Sequence, residues 1–269
     1  MAIAYVRSAE SEESPMVKLI NCVWISTIAL VLSFAGSASA QENWYGPLER
    51  DWSIRLMGGA FKPDIDSQFD AATSQQRLPY DSFFGTEKPL MLNLGVERFL
   101  SNLGGGVSIG MTLGYWNVAG TLQSADSELS TNDETELVLY PMSLEASYYL
   151  DAVAHSFPLV PFVRVGADYC IWEVLDGSGE TANFVYQTAD GAEEYEAFGA
   201  TQGWHYAFGV QLLLDTLDSA NADAFERDAG VKNTYLGLEY RKTQIDDFGN
   251  AQSLRVGGES INFGLYIDL

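Results

Sequence analysis

His205 is the residue best placed to do chemistry in this chain. Its ring could act as a general base, Asp168 could orient it, and a nearby serine could supply the nucleophile that acyl transfer from a lipid needs. The other histidine, His155, falls in a predicted turn away from any such partner. No spacing motif ties His205 to Asp168 or to a serine, so a satisfied interior histidine is the simpler reading. The chain has no G-x-S-x-G, H-E-x-x-H, phosphate-binding loop or paired-cysteine metal motif. The expectation is a protein that is not an enzyme and holds no cofactor and no resident metal.

A second set of ionisable residues recurs at alternate positions of apolar segments: Arg55, Glu97, Glu145, Arg164, Asp168, His205, Glu239 and Arg241. They share a face with glycine, serine and threonine. Arg55 and Glu97 fall on neighbouring segments, as do Glu145 and Arg164. Arg55, Glu97, Glu145 and Arg164 are predicted lower in the fold, and Asp168, His205, Glu239 and Arg241 higher. Opposite charges in a narrow interior must pair, because an unpaired buried charge is costly. The set therefore reads as a plug, with an ion path or gate as the sharper alternative. A third set is acidic and clustered in polar stretches: Asp126, Glu128, Asp133, Glu134 and Glu136, then Asp176, Glu180, Asp190, Glu193, Glu194 and Glu196. Clustered carboxylates suit Ca²⁺ or Mg²⁺. The regular D-x-D-x-D-G spacing is missing, and solubility explains such runs as well.

The elements that must position these groups are strands. Apolar residues alternate with small or polar ones over eight segments: Trp52–Phe61, Leu90–Leu100, Val107–Val118, Leu137–Leu150, Pro161–Val174, Trp204–Leu214, Thr234–Ile245 and Gly257–Leu269. Each is near the 9–11 residues that a tilted strand needs to cross a bilayer. One face carries large apolar side chains, such as Val107, Ile109, Met111, Leu113 and Tyr115. The other carries Ser108, Gly110, Thr112 and Gly114. A soluble barrel would turn the bulky face inward. Here the small face fits the inside of an eight-stranded barrel, whose interior is just wide enough for side chains. The predicted fold class is therefore all-β, an eight-stranded antiparallel transmembrane β-barrel. Two outward-parity cations, Arg98 and Lys242, fall at strand ends, where they can snorkel.

Stretches 62–89, 119–136, 175–203 and 246–256 read as long polar loops on one side, and 101–106 and 151–160 as short turns on the other. In 215–233, Leu217, Ala220, Ala224 and Phe225 predict a short amphipathic helix packed under the barrel rim. Trp116, Trp172 and Trp204 near one set of strand ends, and Trp52 near the other, read as aromatic girdles at the bilayer interfaces.

The ends of the sequence agree. Met16-Val17-Lys18 gives a short positive start, Val23 to Phe34 is mostly apolar, and Ala38-Ser39-Ala40 is an A-x-A cleavage site. Residues 1–40 are expected to be a signal peptide, with the true start at Met16 and cleavage after Ala40, leaving 41–269 as the barrel. Removal of Cys22 would leave Cys170 as the one cysteine, with no intrachain disulfide. At the other end Phe263, Leu265, Ile267 and Leu269 alternate to the last residue, the form in which a final strand is read by the barrel assembly machinery. A net charge of −23 excludes nucleic acid as a partner, since phosphate backbones need Lys and Arg. It also makes contact with anionic lipid depend on bridging divalent cations.

Several short motifs, in order, resemble the myxobacterial-type outer-membrane β-barrel family. They are Pro79-Tyr80-Asp81-Ser82-Phe83-Phe84-Gly85, Pro158-Leu159-Val160-Pro161-Phe162-Val163, Gly203-Trp204-His205, Leu212-Leu213-Leu214-Asp215, Asn233-Thr234-Tyr235-Leu236 and Asp247-Phe248-Gly249. That family is named for its location and transfers no catalytic residue. In strand count the chain is also similar to the small OmpA-, OmpX- and OmpW-type barrels, a likeness of fold alone. The resemblance implies the outer membrane of a Gram-negative bacterium, with outer-membrane lipid and lipopolysaccharide around the barrel. The leading expectation is a structural or surface-interaction protein acting through acidic loops. A narrow channel for small, hydrophobic solutes is the alternative, and a lipid-modifying enzyme resting on His205 the third reading.

Overall fold

Along each apolar segment the alternation becomes two faces of a strand. The structure is a computed structural model that describes residues 50–69, 79–102, 105–123, 130–151, 158–188, 191–250 and 253–269. The strands are β1 (Trp52–Ala60), β2 (Leu90–Asn102), β3 (Gly106–Gln123), β4 (Ser130–Tyr149), β5 (Leu159–Leu175), β6 (Asn183–Thr188), β7 (Gly191–Glu196), β8 (Phe198–Leu213), β9 (Asn233–Ile245) and β10 (Gly258–Asp268). Eight of them close into an antiparallel barrel in the order β1-β2-β3-β4-β5-β8-β9-β10, and β6 and β7 form a separate hairpin. The fold class read from the sequence is the one observed. The seam pairs the first strand with the last, from Ser53 opposite Asp268 to Ala60 opposite Ile261. Closure leaves no open edge in the barrel wall.

Polarity is inverted relative to a protein folded around an apolar core. Leu56, Leu144, Val165, Phe208, Leu236 and Phe263 all point outward and are exposed. Arg55, Glu97, Glu145, Arg164, His205 and Glu239 point inward and are buried. The inward glycines make room for them. A Cβ on Gly95 would stand 2.4 Å from Arg55 Nε, and one on Gly166 would stand 2.4 Å from His205 Cε1.

Three expectations need correction. First, 119–123 and 130–136 are strand and not loop. β3 runs on to Gln123 and β4 starts at Ser130, because paired backbone groups there continue the ladder beyond the rim. Stretch 175–203 likewise holds the β6–β7 hairpin, and β8 starts at Phe198. The wall is thus tall on one side (β3, β4, β5 and β8 have 16 to 20 residues) and short on the other (β1, β2, β9 and β10 have 9 to 13). Second, Trp116 and Trp172 are not in an outer girdle. Both have the parity of the inward residues and pack in an interior apolar cluster. Trp204 does face outward and is exposed. Third, the helix in 215–233 exists but does not pack under the rim. It is α2 (Ser219–Ala229), following α1 (Pro79–Phe84) in the chain. Asp218 caps its start by accepting from Asn221 N–H, and Gly230, at φ 72°, ends it in the left-handed conformation. Leu217 and Phe225 remain 74% and 61% exposed, so their apolar surface is not spent on the barrel.

Candidate functional site

The interior holds three layers, and their order repeats along the strands. On β5 the inward residues run Phe162, Arg164, Asp168, Cys170. On β9 they run Tyr235, Glu239, Arg241, Ile245. On β4 they run, in the same direction, Tyr149, Glu145, Leu139. At the end that carries the strand termini Trp52 and Asp268, an apolar cluster is built from Met57, Tyr149, Phe162, Leu213, Tyr235 and Tyr266. At the opposite end a larger one includes Phe61, Tyr80, Trp116, Leu139, Cys170 and Ile245. Phe61 and Trp116 meet edge to face, and the indole N–H donates to the Phe61 carbonyl at 3.2 Å.

Between the clusters lies one charge network, which contains all eight sequence-predicted interior residues. The two predicted tiers are joined. Glu145 is the hub: it bonds Arg55, lies 3.4 Å from Arg164 Nε, 3.0 Å from Arg241 Nη2 and 3.4 Å from His205 Nε2. Arg164 bonds Glu239, which also holds Arg241 Nε at 3.0 Å. Glu97 faces Arg55 at 3.5 Å and accepts from Tyr149 and Ser108 hydroxyls at 2.5 and 2.7 Å. Asp168 presents both carboxylate oxygens to His205 Nδ1 at 2.9 Å. Three guanidinium groups and one imidazole thus face four carboxylates. A cavity of about 30 Å³ borders Asp168, Arg241, Cys170 and Ser143, space for one or two waters and nothing larger.

That geometry limits the chemistry. His205 has no exposed surface, and its ring is held between Asp168 and Glu145. A lipid ester outside the wall cannot reach it. His155 lies outside the described residues. Cys170 is a free, buried thiol, and burial holds it inert to ligands.

The mouth at the terminal end has a plug that the sequence did not flag. Arg50 sits against the rings of Phe99, Tyr149 and Tyr235, with its guanidinium carbon 5.2, 5.0 and 4.7 Å from their centroids. It donates to Tyr235 Oη at 2.7 Å and lies 3.2 Å from Asp268 and 3.6 Å from Asp151. Burial works against the charged form of Arg50, yet Asp268 and Asp151 more than offset it and strengthen its hold on the proton. Burial pushes the Asp151 carboxyl above its usual range, opposed by Arg50. Arg50 precedes β1, so no strand parity could have announced it.

Among the described residues, the acidic stretches show bonding within their own turns and strand pairs. Asp176 closes its own turn by accepting from Ser178 and Glu180 N–H, and Glu136 accepts from Asn117 at 2.5 Å. Glu134 and Glu196 are exposed and Glu180 partly so. Asp126, Glu128 and Asp190 lie outside the described residues, as do the side chains of Asp133, Glu193 and Glu194. Among the described residues no three His, Cys, Asp or Glu side chains converge as a metal site. At the C-terminus Phe263 and Leu265 face outward and are exposed, Ile267 is partly covered, and Leu269 N–H donates to the Trp52 carbonyl at 2.8 Å. Residues 1–40 lie outside the described residues.

The class that these features define is a closed eight-stranded antiparallel barrel with a filled, charged interior and an apolar exterior. No protein-family model matches the chain, and no curated protein does. Among solved structures it is similar to Neisserial surface protein A (12% identity, 81% of this chain and 95% of that one, TM-score 0.43). It is similar also to Ail of Yersinia pestis (11% identity, 82% and 100%, TM-score 0.38) and to the outer-membrane protein OprG of Pseudomonas aeruginosa (10% identity, 81% and 93%, TM-score 0.40). These neighbours are small outer-membrane barrels, too distant to lend this chain an activity or a partner. The finer resemblance to the myxobacterial-type family rests on its short motifs alone.

Proposed function

We propose that this chain is a non-enzymatic barrel of a Gram-negative outer membrane, acting as a scaffold that presents its tall wall to the outside. The observation that carries this is the inverted polarity of the wall. Outward rows such as Leu144–Ala146–Tyr148 and Leu236–Leu238–Tyr240 suit hydrocarbon, whereas the charges are kept within. The terminal end then faces the periplasm. Lipid and lipopolysaccharide surround the belt, and the assembly machinery reads Phe263, Leu265, Ile267 and Leu269. Strands β3 and β4 exceed the 9–11 residues of a crossing and carry the β3–β4 and β6–β7 hairpins, with their carboxylates, above the membrane. A surface-interaction role is favoured over a channel because two apolar layers bracket the charge network. It is favoured over lipid chemistry because His205 is sealed inside.

The test has two parts. The chain refolded in detergent should migrate differently on a denaturing gel before and after boiling, and should show strand-type circular dichroism. In planar bilayers it should conduct far less than a wide porin. Absence of the gel shift, with a soluble monomer obtained without detergent, would remove the membrane reading. Sustained porin-like conductance would replace the scaffold with a channel.

A further inference from the structure

Above the apolar belt, the outward face of the tall wall turns polar within a step or two. On β3 Tyr115 leads to Asn117, on β4 Tyr140 and Val138 lead back to Glu136, and on β5 Ile171 leads to Glu173. The ladder gathers these residues. Asn117 pairs with Val138, Val138 with Glu173, and Glu136 with Leu175. Glu136 and Glu173 are therefore diagonal neighbours on one face, close enough for long side chains to meet. The Tyr140 hydroxyl lies in the field of both carboxylates, so the two converge above that ring.

Glu173 is the anomaly. It has no exposed surface. Its Oε1 accepts from the Thr181 hydroxyl, but Oε2 is buried with no hydrogen-bond partner among the described residues. Elsewhere Glu97 and Glu145 face Arg55, Glu239 faces Arg164, and Asp268 faces Arg50. Among the described residues Glu173 faces no cation, and its charged neighbour is another carboxylate. The surrounding chain has none to offer. No Lys or Arg occurs in 99–163 or in 165–226, which hold the upper parts of β3, β4, β5 and β8 and both acidic stretches. A desolvated carboxylate beside a like charge is costly unless a cation reaches it.

We infer that Glu136 and Glu173 bind a Ca²⁺ ion from the surrounding medium, with the Thr181 hydroxyl, the Asn117 carboxamide and water completing its oxygen shell. Ca²⁺ accepts about six to eight oxygens, charged or neutral, in flexible geometry, whereas Mg²⁺ demands a near-ideal octahedron and keeps its waters. Glu136 is only partly buried and gives the ion its way in. Asn117 donates its amide N–H to Glu136 Oε1 at 2.5 Å, and a half turn of the carboxamide presents its oxygen instead. Two carboxylates make a weak site, with a Kd of about 10⁻⁴–10⁻³ M as in extracellular modules. The ion would fasten β3, β4 and β5 to Thr181, whose bridge to Leu175 starts the β6–β7 hairpin. Its occupancy would thus govern how firmly that hairpin is held. The site belongs to the wall itself, so it can fail while the scaffold reading stands.

The test uses the chain refolded in detergent, titrated calorimetrically with Ca²⁺. A parallel titration uses Tb³⁺, a Ca²⁺ mimic whose emission is excited through nearby rings such as Tyr115 and Tyr140. The variants are Glu173→Gln, Glu136→Gln and Asn117→Asp, with the exposed Glu196→Gln as control. The expected result is Tb³⁺ emission that millimolar Ca²⁺ removes. Ca²⁺ affinity should fall roughly tenfold in Glu173→Gln and in Glu136→Gln, rise roughly tenfold in Asn117→Asp, which adds a third carboxylate, and stay unchanged in Glu196→Gln. No Ca²⁺ binding in the millimolar range, equal affinity in Glu173→Gln, or weaker binding by Asn117→Asp overturns the inference. Each sample is also run on a gel before and after boiling. If Glu173→Gln alone loses the heat shift and so fails to fold, Glu136→Gln and Asn117→Asp decide, and affinities equal to that of the unaltered chain in both overturn it. A missing heat shift in the unaltered chain removes the membrane reading, while the Ca²⁺ titration still decides the site.

Discussion

Replacing Glu145 by Gln tests the interior network at its hub. The substitution keeps the shape and removes one negative charge that four partners share: Arg55, Arg164, Arg241 and His205. All four are buried to within a few per cent, apart from a tenth of the Arg241 side chain. Three guanidinium groups then share Glu97 and Glu239, while Asp168 stays engaged with His205. Removing one partner of a buried ion pair costs about 3–5 kcal/mol, since the orphaned charge stays desolvated. At 1.4 kcal/mol per decade that is roughly two to three and a half decades in the unfolding equilibrium. The assay is urea unfolding of the barrel refolded in lipid vesicles, followed by tryptophan fluorescence. Glu259→Gln is the comparison. Its pair with Lys242 is half exposed, so its loss should cost about 0–1 kcal/mol. The variant Glu145→Gln should remain non-conducting, because the apolar layers above and below are untouched. A loss below ~1 kcal/mol for Glu145→Gln would refute the view that the network is a dry, mutually dependent unit. It would mean that the wall relaxes or that water enters and solvates the guanidinium groups.

Leu144 is 69% exposed in the middle of an outward row, so Leu144→Arg should cost about 2–4 kcal/mol in vesicles, and Leu144→Ala much less. Equal effects would contradict a lipid-facing wall. Gly95→Ala places a Cβ 2.4 Å from Arg55 Nε and should destabilise the barrel by about 1–3 kcal/mol, read as a lower urea midpoint with an unchanged slope. Asp176 should titrate by NMR below the ordinary aspartate value. Burial, the largest single influence, opposes this, but bonds from Ser178 and the Glu180 and Gly179 amides together outweigh it. A depressed value means that the turn's stabilisation is present above the unfolded-state pKa and is lost as pH falls through the lowered one. An ordinary or raised value would show that the turn is not formed.

Parity made most of this fold legible. Period-2 alternation gave all eight barrel strands and put Arg55, Glu97, Glu145, Arg164, Asp168, His205, Glu239 and Arg241 on the inner face, where they lie. It also placed Trp116 and Trp172 inside, and the girdle expectation failed by letting a preference of residue type override it. The polar stretch 119–136 read as loop because few of its residues are apolar, yet hydrogen bonding between the strands sustains 119–123 and 130–136. Partners of Arg50 were illegible, since its bonds to Tyr235 and Asp268 join residues more than 180 positions apart.

The latch around Arg50 has a kinetic consequence. Its partners Tyr235 and Asp268 and its ring neighbours Phe99 and Tyr149 come from β2, β4, β9 and β10. None of those contacts compensates for loop closure until strands distant in sequence have met. Arg50 is therefore among the last groups to be satisfied, and a chain cut short of Asp268 leaves a cation among three rings without its nearest carboxylate. The same missing strand would leave β1 without its ladder partner, so the unsatisfied cation and the unpaired edge arise together at one seam.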